Sequence, residues 1–394
     1  VVDVAVEMPP EDWEHLRRQT RTFPDILIGD CLARPQPSVF SWFAATVTVD
    51  GETHTDVGVR KKGFLGSLSD EKPSLKVRFD KFVEGQLLGK LMQRLTLNNS
   101  VQDASMINTC MALQIFANAG LPAPRCNFAT VSVNDEELGL YVHVESMKSA
   151  FLERSFADPN GNLYEGTLSD FRPGWHGTFQ KKTNEDEADW SDVDEVVEAL
   201  HDPSPVGIDR LGAIVDIAAF LRFWAAEVLV GHWDGYAGNR NNFFIYRPDA
   251  GRFIFIPWGI DQAFKSIDGP FDNFVSPPSV TAHGAIAHRL YRNESTRSAY
   301  LLQLRDLLDS VWQEEELLAR VDEMAAIVQA YASPDRRRRA GADTERVRRF
   351  IRNRRSKVLA DIDPQPPAWP WPLSSPQICW PQVGKFNIAF ETTW

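Results

Sequence analysis

The chain has 394 residues, 43% of them hydrophobic and 24% charged, with 12 Trp, 24 Phe and a mean hydropathy of −0.29. That composition suits one large two-lobed domain or two ordinary ones, with a core that needs no cross-links, and it excludes both a membrane protein and wholesale disorder. The formal charge of −12 argues against general nucleic-acid binding, yet residues 335–357 hold ten Arg and one Lys against Asp335, Asp343 and Glu345, so a +8 element sits on a body carrying −20.

Val1 to Glu7 alternates as a strand does, and Pro9-Pro10 ahead of Glu11 to Thr20 predicts a short helix with an acidic first turn. Phe43 to Val49 and Thr53 to Lys61 flank Asp50-Gly51, a dipeptide suited to the turn that matches strand twist, and so predict a hairpin. A small, polar loop from Lys62 to Pro73, with Gly63 near its start, leads into a strand at Ser74 to Phe79. There Leu75, Val77 and Phe79 share one side and Lys76 and Arg78 the other. Asp103 stands where it would cap a helix from Ala104 to Asn118, closed by Gly120 and Pro122. Asn127 to Val133, the turn Asn134-Asp135 and Leu138 to Glu145 predict a second hairpin.

From Lys148 onward helices dominate, at Ala150 to Phe156, Asp192 to Leu200, Asp209 to Val230, Ser298 to Leu308, Glu314 to Ala332 and Thr344 to Asp361. Strands followed by helices make an α+β, two-lobe pattern. Within the apolar run Ile214 to Gly231, Asp216, Arg222 and Glu227 argue for a buried core helix rather than a membrane span. A further hairpin, Asn242 to Tyr246 with Arg252 to Pro257, precedes Ile260-Asp261. The tail from Asp363 carries seven Pro and four Trp and is expected to end in a strand such as Phe386 to Phe390. Cys31, Cys110, Cys126 and Cys379 form no C-x-x-C pair, which argues against structural zinc and leaves two disulfides or none open. An opening at Val1 without a leader is the expectation for a trimmed chain or a mature one whose signal peptide is gone.

The chemistry-bearing motif is His232-Trp233-Asp234, followed five residues later by Asn239. Protein kinases use that spacing in H-R-D-x-x-x-x-N. A carboxylate beside the attacking hydroxyl orients it and takes its proton, while a neutral amide oxygen ligates a hard cation without adding negative charge near ATP. Asp261 then stands where kinases place a metal-binding Asp, although its separation of 27 residues from Asp234 is longer than usual.

Over roughly residues 40 to 265 the chain resembles the CotH family of atypical kinases. The matching pieces are Val57 to Gly63, Lys72 to Asp80, Leu97-Asn98-Asn99, Asp103 with Ala119 to Pro124, Gly139 to Glu145, Asn162-Leu163-Tyr164, Asp234 through Asn239 to Tyr246, and Ile256 to Asp261. Their order carries the resemblance. It implies an atypical kinase-like two-lobe fold, β-rich in the N-lobe and mostly helical in the C-lobe, that moves the ATP γ-phosphate to Ser or Thr of a protein. The implied division is an N-terminal lead-in at 1–39, an N-lobe at 40–147, a C-lobe with catalytic loop and metal hairpin at 148–362, and a Pro/Trp-rich tail at 363–394. Asp234 would be the catalytic base. Asp261, Asn239 and Asn242 would hold Mg2+ or Mn2+. Lys76, or the competing Lys72, would contact phosphates together with Arg60 and the Gly63 loop, and Glu145 would stand at the hinge beside the nucleotide.

Two departures from the family pattern stand out. The family commonly shows Pro-Trp-Asp-Leu-Asp, and this chain has Pro257-Trp258-Gly259-Ile260-Asp261, so one carboxylate is missing. The predicted helix at Ala104 to Asn118 has no acid to pair with the strand lysine, which leaves Asp103 as the stand-in or implies another nucleotide pose. The Thr344 to Asp361 helix has a basic face that is either solvated or a dock for an acidic protein substrate. His232 reads as a packed or loop-orienting residue, and Trp175-His176 and Trp233 as groove or core aromatics. Sequons at Asn98 and Asn293 matter only in a host that glycosylates. The alternatives to an active kinase are a nucleotide-binding pseudokinase in a coat or surface, and a transferase acting on a small molecule. The resemblance also implies export or a spore or cell surface location.

Overall fold

The computed structural model describes residues 1–34, 38–89, 91–265, 276–373 and 379. The strand expected at Phe386 to Phe390 lies outside them. Along the chain come β1 (Val2–Glu7), α1 (Pro10–Arg18), the single-turn α2 (Pro24–Leu27), β2 (Phe43–Val49), β3 (Glu52–Lys62), β4 (Ser74–Arg78), β5 (Arg94–Asn98), α3 (Asn108–Asn118), β6 (Cys126–Val133) and β7 (Glu136–Val144). The seven strands close into a barrel in the order β1-β2-β3-β4-β5-β7-β6, with β1 parallel to β6 and the other pairs antiparallel. β1, expected only to lead in, completes the barrel. At both predicted hairpin turns the residues adopt positive φ, Asp50 and Gly51 in one and Asn134 and Asp135 in the other, which turns the chain with the twist of its strands. Alternation fills the barrel with Val4, Val47, Val57, Val59, Leu75, Val77, Leu95, Leu97 and Val131.

The remainder holds α4 (Ser149–Ser155), β8 (Asn162–Gly166), β9 (Phe179–Lys181), α5 (Ser191–His201), α6 (Pro205–Ile214), α7 (Ile217–Val230), β10 (Phe243–Arg247), β11 (Ile254–Pro257), α8 (Ala285–Arg292), α9 (Glu294–Ser310), α10 (Glu314–Tyr331) and α11 (Pro334–Ile362). Helices make up most of this second half, as expected, and β8 to β11 add a four-stranded sheet in the order β11-β10-β8-β9, of which only the β10–β11 hairpin was anticipated. α7 runs through the larger apolar core, where Phe220 and Phe223 meet Tyr236 and Phe255, and Trp224 stacks on Tyr300. The architecture is therefore mixed α+β: a barrel, a second sheet and a set of helices.

Several predicted helices differ in extent. α3 starts four residues late, because Met106 takes φ 64° and the Asp103 carboxylate is spent on the Ser105 hydroxyl (2.5 Å) and the Asn108 N–H (2.9 Å). The single helix expected from Asp209 to Val230 breaks after Ile214. Asp216 caps α7 by accepting the Ala219 N–H at 3.1 Å, and its own N–H goes to the Phe253 carbonyl. α11 begins ten residues before the predicted Thr344, capped by Ser333. The open question of the cysteines resolves into two disulfides, Cys31–Cys379 and Cys110–Cys126. No described helix is long and apolar enough to cross a membrane.

Candidate active site

A cleft of about 980 Å3 runs along one face of the barrel and is closed on its other side by β8, the loop after α7 and the segment after β11. Pairing register builds its barrel wall. Arg60 on β3 lies opposite Lys76 on β4, and Arg78 on β4 opposite Arg94 on β5, while Lys62 follows Arg60 by two residues and so shares its face. Like charges facing each other across strands repel, and burial adds to the cost. Burial pushes Lys76 down to about 7 and Lys62 down to about 8. The Lys76 ammonium has no hydrogen-bond partner among the described residues, and the buried Nε atoms of Arg60 and Arg94 lack an acceptor. Such a wall fits a polyanion.

Glu165 on β8 balances it in part. Burial pushes this carboxyl up, but Lys182, Lys76 and Lys62 together outweigh burial and bring it down to about 2. Lys182 grips it at 2.6 Å; Lys76 acts on it through the field without forming an ion pair. Glu165 is thus the acid facing the strand lysine, a role the sequence reading left to Asp103. The Asp103 carboxylate faces Ser105 and Asn108 instead.

The opposite wall holds the carboxylates. α7 ends at Gly231 in the left-handed conformation, where a Cβ would come within 2.5 Å of the Lys265 carbonyl, so the chain turns sharply into the Asp234 loop. Asp234 accepts three amide groups, from Asn239 (2.7 Å), Asn241 (3.3 Å) and Asn242 (2.6 Å). Burial raises its pKa to about 6 against the pull of those donors. Asp261, in a single 3-10 turn after β11, is raised to about 7 by burial and by the Asp103 and Asp234 carboxylates, with Lys62 pulling the other way. Glu227 shapes the loop from below: its two oxygens accept the N–H groups of Tyr236 (2.9 Å) and Ala237 (3.0 Å). The His232 ring is buried and pushed down to about 4, so it is neutral and packed rather than a base.

Of the residues singled out in the sequence, Asp234, Asn239, Asn242, Asp261, Lys76, Arg60 and Gly63 line the cleft, as does Trp233. Lys72 and Glu145 do not. The Lys72 ammonium donates to the Leu140 carbonyl at 2.6 Å and sits over the Tyr141 ring, and Glu145 is held by Arg154 at 2.6 Å and by the Arg125 N–H. Trp175 is buried away from the cleft lining. The sequence reading missed Lys62, Asn241, Glu165 and Lys182. Lys62 was accessible through its spacing from Arg60; nothing local marked Glu165.

Gly259 explains the missing carboxylate in physical terms. Its φ is 56°, and a Cβ there would lie 2.4 Å from the Asn242 amide oxygen, so the Asn242 side chain fills the space a larger residue would need. Among the described residues no cluster of three or more His, Cys, Asp or Glu could hold a metal by itself. A divalent cation would therefore rest on the Asp261 carboxylate and the amide oxygen of Asn239, with ligand phosphates completing its shell. The donor set is all hard oxygen, and a cation would relieve both the burial and the neighbouring Asp103 and Asp234 carboxylates that push Asp261 up, so the residues fit Mg2+ or Mn2+.

The family model of the CotH kinase protein matches residues 59–358. The chain is similar to the inner spore coat protein H of Bacillus subtilis (strain 168), 24% identical over 287 residues that make up 67% of this chain and 77% of that protein. Among solved structures, a proinflammatory kinase CtkA of Helicobacter pylori aligns over 74% of this chain and 92% of its own, at 10% identity and a TM-score of 0.37. HipA, from a toxin–antitoxin complex of Shewanella oneidensis with HipB and operator DNA, aligns over 76% and 67% at 11% identity and 0.34. Likeness at those scores decides nothing about the site. The match from residue 59 to residue 358 takes in every cleft residue discussed above, and the chain belongs to the CotH kinase family.

Proposed function

We propose that this chain is an ATP- and divalent-metal-dependent protein kinase that transfers the γ-phosphate to Ser or Thr of a protein, in a two-lobe arrangement with the barrel above the cleft and the helical part below. One observation carries the reading: a half-buried Asp234, oriented by three asparagine amides, shares a cleft with Asp261 and with a wall of cations in which the Lys76 ammonium has no hydrogen-bond partner among the described residues. When bound, ATP with Mg2+ or Mn2+ supplies the transferable phosphoryl group and neutralises its charge. Lys76, Lys62 and Arg60 bind and orient the phosphates, with the Gly63 loop over them. Asp261 and Asn239 hold the cation, with Asn242 adjoining. Asp234 orients the acceptor hydroxyl and takes its proton as the new oxygen–phosphorus bond forms and ADP departs.

The acceptor we favour is an acidic protein segment docked on the exposed Arg349, Arg352 and Lys357 of α11. Two disulfides and a spore coat relative support export or a surface location. The left-handed Gly259, in place of a second carboxylate, favours the pseudokinase as the other reading.

Incubation with γ-labelled ATP, Mg2+ or Mn2+ and an acidic protein separates the two. Asp234→Ala and Asp261→Ala are expected to fold and to lose transfer. Retained transfer by either overturns its role, and an inert wild type whose melting temperature still rises with ATP favours the pseudokinase.

A further inference from the structure

Asp261 shares its buried surroundings with Asp103 and Asp234, and among the described residues none of the three takes part in an ion pair. Carboxylates gathered without a direct ion pair, and balanced only at a distance by Lys62, do not hold their own segments together, so the backbone is fixed by other contacts. α11 packs against all three segments. Near its start Arg336 donates to the carbonyls of Ser100 and Asp103. Two turns further on, Asp343 accepts the Ser105 N–H at 3.0 Å, and Arg346 grips that same carboxylate at 2.6 and 3.0 Å. The remaining arm of Arg346 donates to the carbonyl of Phe264, three residues past Asp261, where the backbone takes φ 59°. From the other side the Asn108 amide donates to the Asp261 carbonyl at 2.9 Å, and the Phe264 N–H to the Val230 carbonyl at 2.7 Å.

Arg354 completes the set. Its buried guanidinium forms no ion pair; it donates to Leu229 at 3.0 Å, to Val228, and to Pro278 at 2.9 Å. Leu229 and Val228 belong to the last turn of α7, whose unsatisfied carbonyls carry the negative end of the helix dipole just ahead of the Asp234 loop. The placement is informative because guanidinium groups ordinarily seek carboxylates. Arg354 binds only backbone carbonyls, and Arg346 binds the Phe264 carbonyl and the Asp343 carboxylate, so both steady the segments of Asp234 and Asp261 without pairing with those two carboxylates.

We propose that α11 is a positioning brace for the phosphoryl-transfer site, with Arg346 fixing the Asp261 segment and Arg354 the Asp234 loop. It rests on the kinase reading above. The inward-facing Arg336, Arg346 and Arg354 then act as an internal strut, and the exposed basic residues remain for docking.

The test compares the full chain carrying Arg346→Gln, Arg346→Lys or Arg355→Gln. Arg355 is the control: it lies on the same helix and ties to Asp309 (2.9 Å) and the Leu308 carbonyl, away from the carboxylates. Arg346→Gln is expected to lower kcat by about tenfold to a hundredfold with little change in KM for ATP, as a small misplacement of reacting groups does. It should also speed amide hydrogen exchange at Ser105 and Phe264, with partial recovery in Arg346→Lys. Arg355→Gln should lower the melting temperature comparably and leave kcat and those amides unchanged. Equal losses of kcat in the Arg346→Gln and Arg355→Gln variants would overturn the brace. Should the wild type transfer no phosphate, the kinase reading fails by itself, and the brace is then judged by exchange: unaltered exchange at Ser105 and Phe264 in Arg346→Gln overturns it.

Discussion

The two walls of the cleft are built on different principles. On the barrel side, Arg60, Lys62, Lys76, Arg78 and Arg94 are aimed first by strand register, with Asp80 pinning Arg78 and Asn98 meeting Lys62, over an interior of Val and Leu. On the loop side, Asp234 and Asp261 stand on irregular chain, with Arg240, Asn242 and Phe264 at positive φ, and they are held by amide, carboxyl and guanidinium groups drawn from several elements. A ladder positions its side chains cooperatively, so losing one cation leaves the others in place. A loop positioned by single hydrogen bonds depends on each of them. Barrel substitutions should therefore change binding, and loop-side substitutions should change stability and turnover together.

The largest stability effect is expected at Glu227. Glu227→Gln turns an N–H toward the Tyr236 or Ala237 N–H and should cost about 1–3 kcal/mol, read from denaturant midpoints. Burial raises the Glu227 pKa to about 8, so the folded protein holds a proton there that the unfolded chain releases near its ordinary value. The stability it contributes is full below the unfolded pKa and is lost as pH rises through about 8, and the stability-versus-pH curve of Glu227→Gln should fall less steeply over that window. Gly259→Ala should cost about 1–2 kcal/mol for the left-handed backbone, and should lower turnover as well by displacing the Asn242 amide from Asp234. Lys76→Met is expected to leave the melting temperature of the ligand-free protein unchanged or higher, since it removes a half-buried cation without a hydrogen-bond partner among the described residues. ATP affinity should fall about tenfold or more with the lost charged contact, measured by calorimetry. A stability loss at Lys76→Met as large as that at Glu227→Gln would break the contrast between the walls.

Local chemistry made the barrel wall readable in the sequence. Asp50-Gly51 and Asn134-Asp135 marked the hairpins, and alternation through Ser74 to Phe79 put Lys76 opposite the packed side, as found. The Asp234 and Asn239 spacing marked the loop because both residues act within one short turn. Tertiary pairing was not readable. Glu165 lies on a five-residue strand set by pairing with β10 and with the three-residue β9. Lys72 and Glu145 looked like site residues by position in the chain, but the Leu140 carbonyl and Arg154 claim them. α11 was legible as an amphipathic basic helix; its bond from Asp343 to Ser105 spans 238 residues of sequence, beyond the reach of any local pattern.

The measurement that bears most directly on the central claim is steady-state transfer from γ-labelled ATP by wild type, Asp234→Asn and Lys76→Met, with kcat and KM determined for each. Asp234→Asn should lower kcat by about 10²–10⁴ with KM for ATP little changed, and Lys76→Met should act mainly on KM. Wild-type turnover in Asp234→Asn, or a Lys76→Met defect confined to kcat, would contradict the assignment of the loop to chemistry and the barrel wall to phosphate binding.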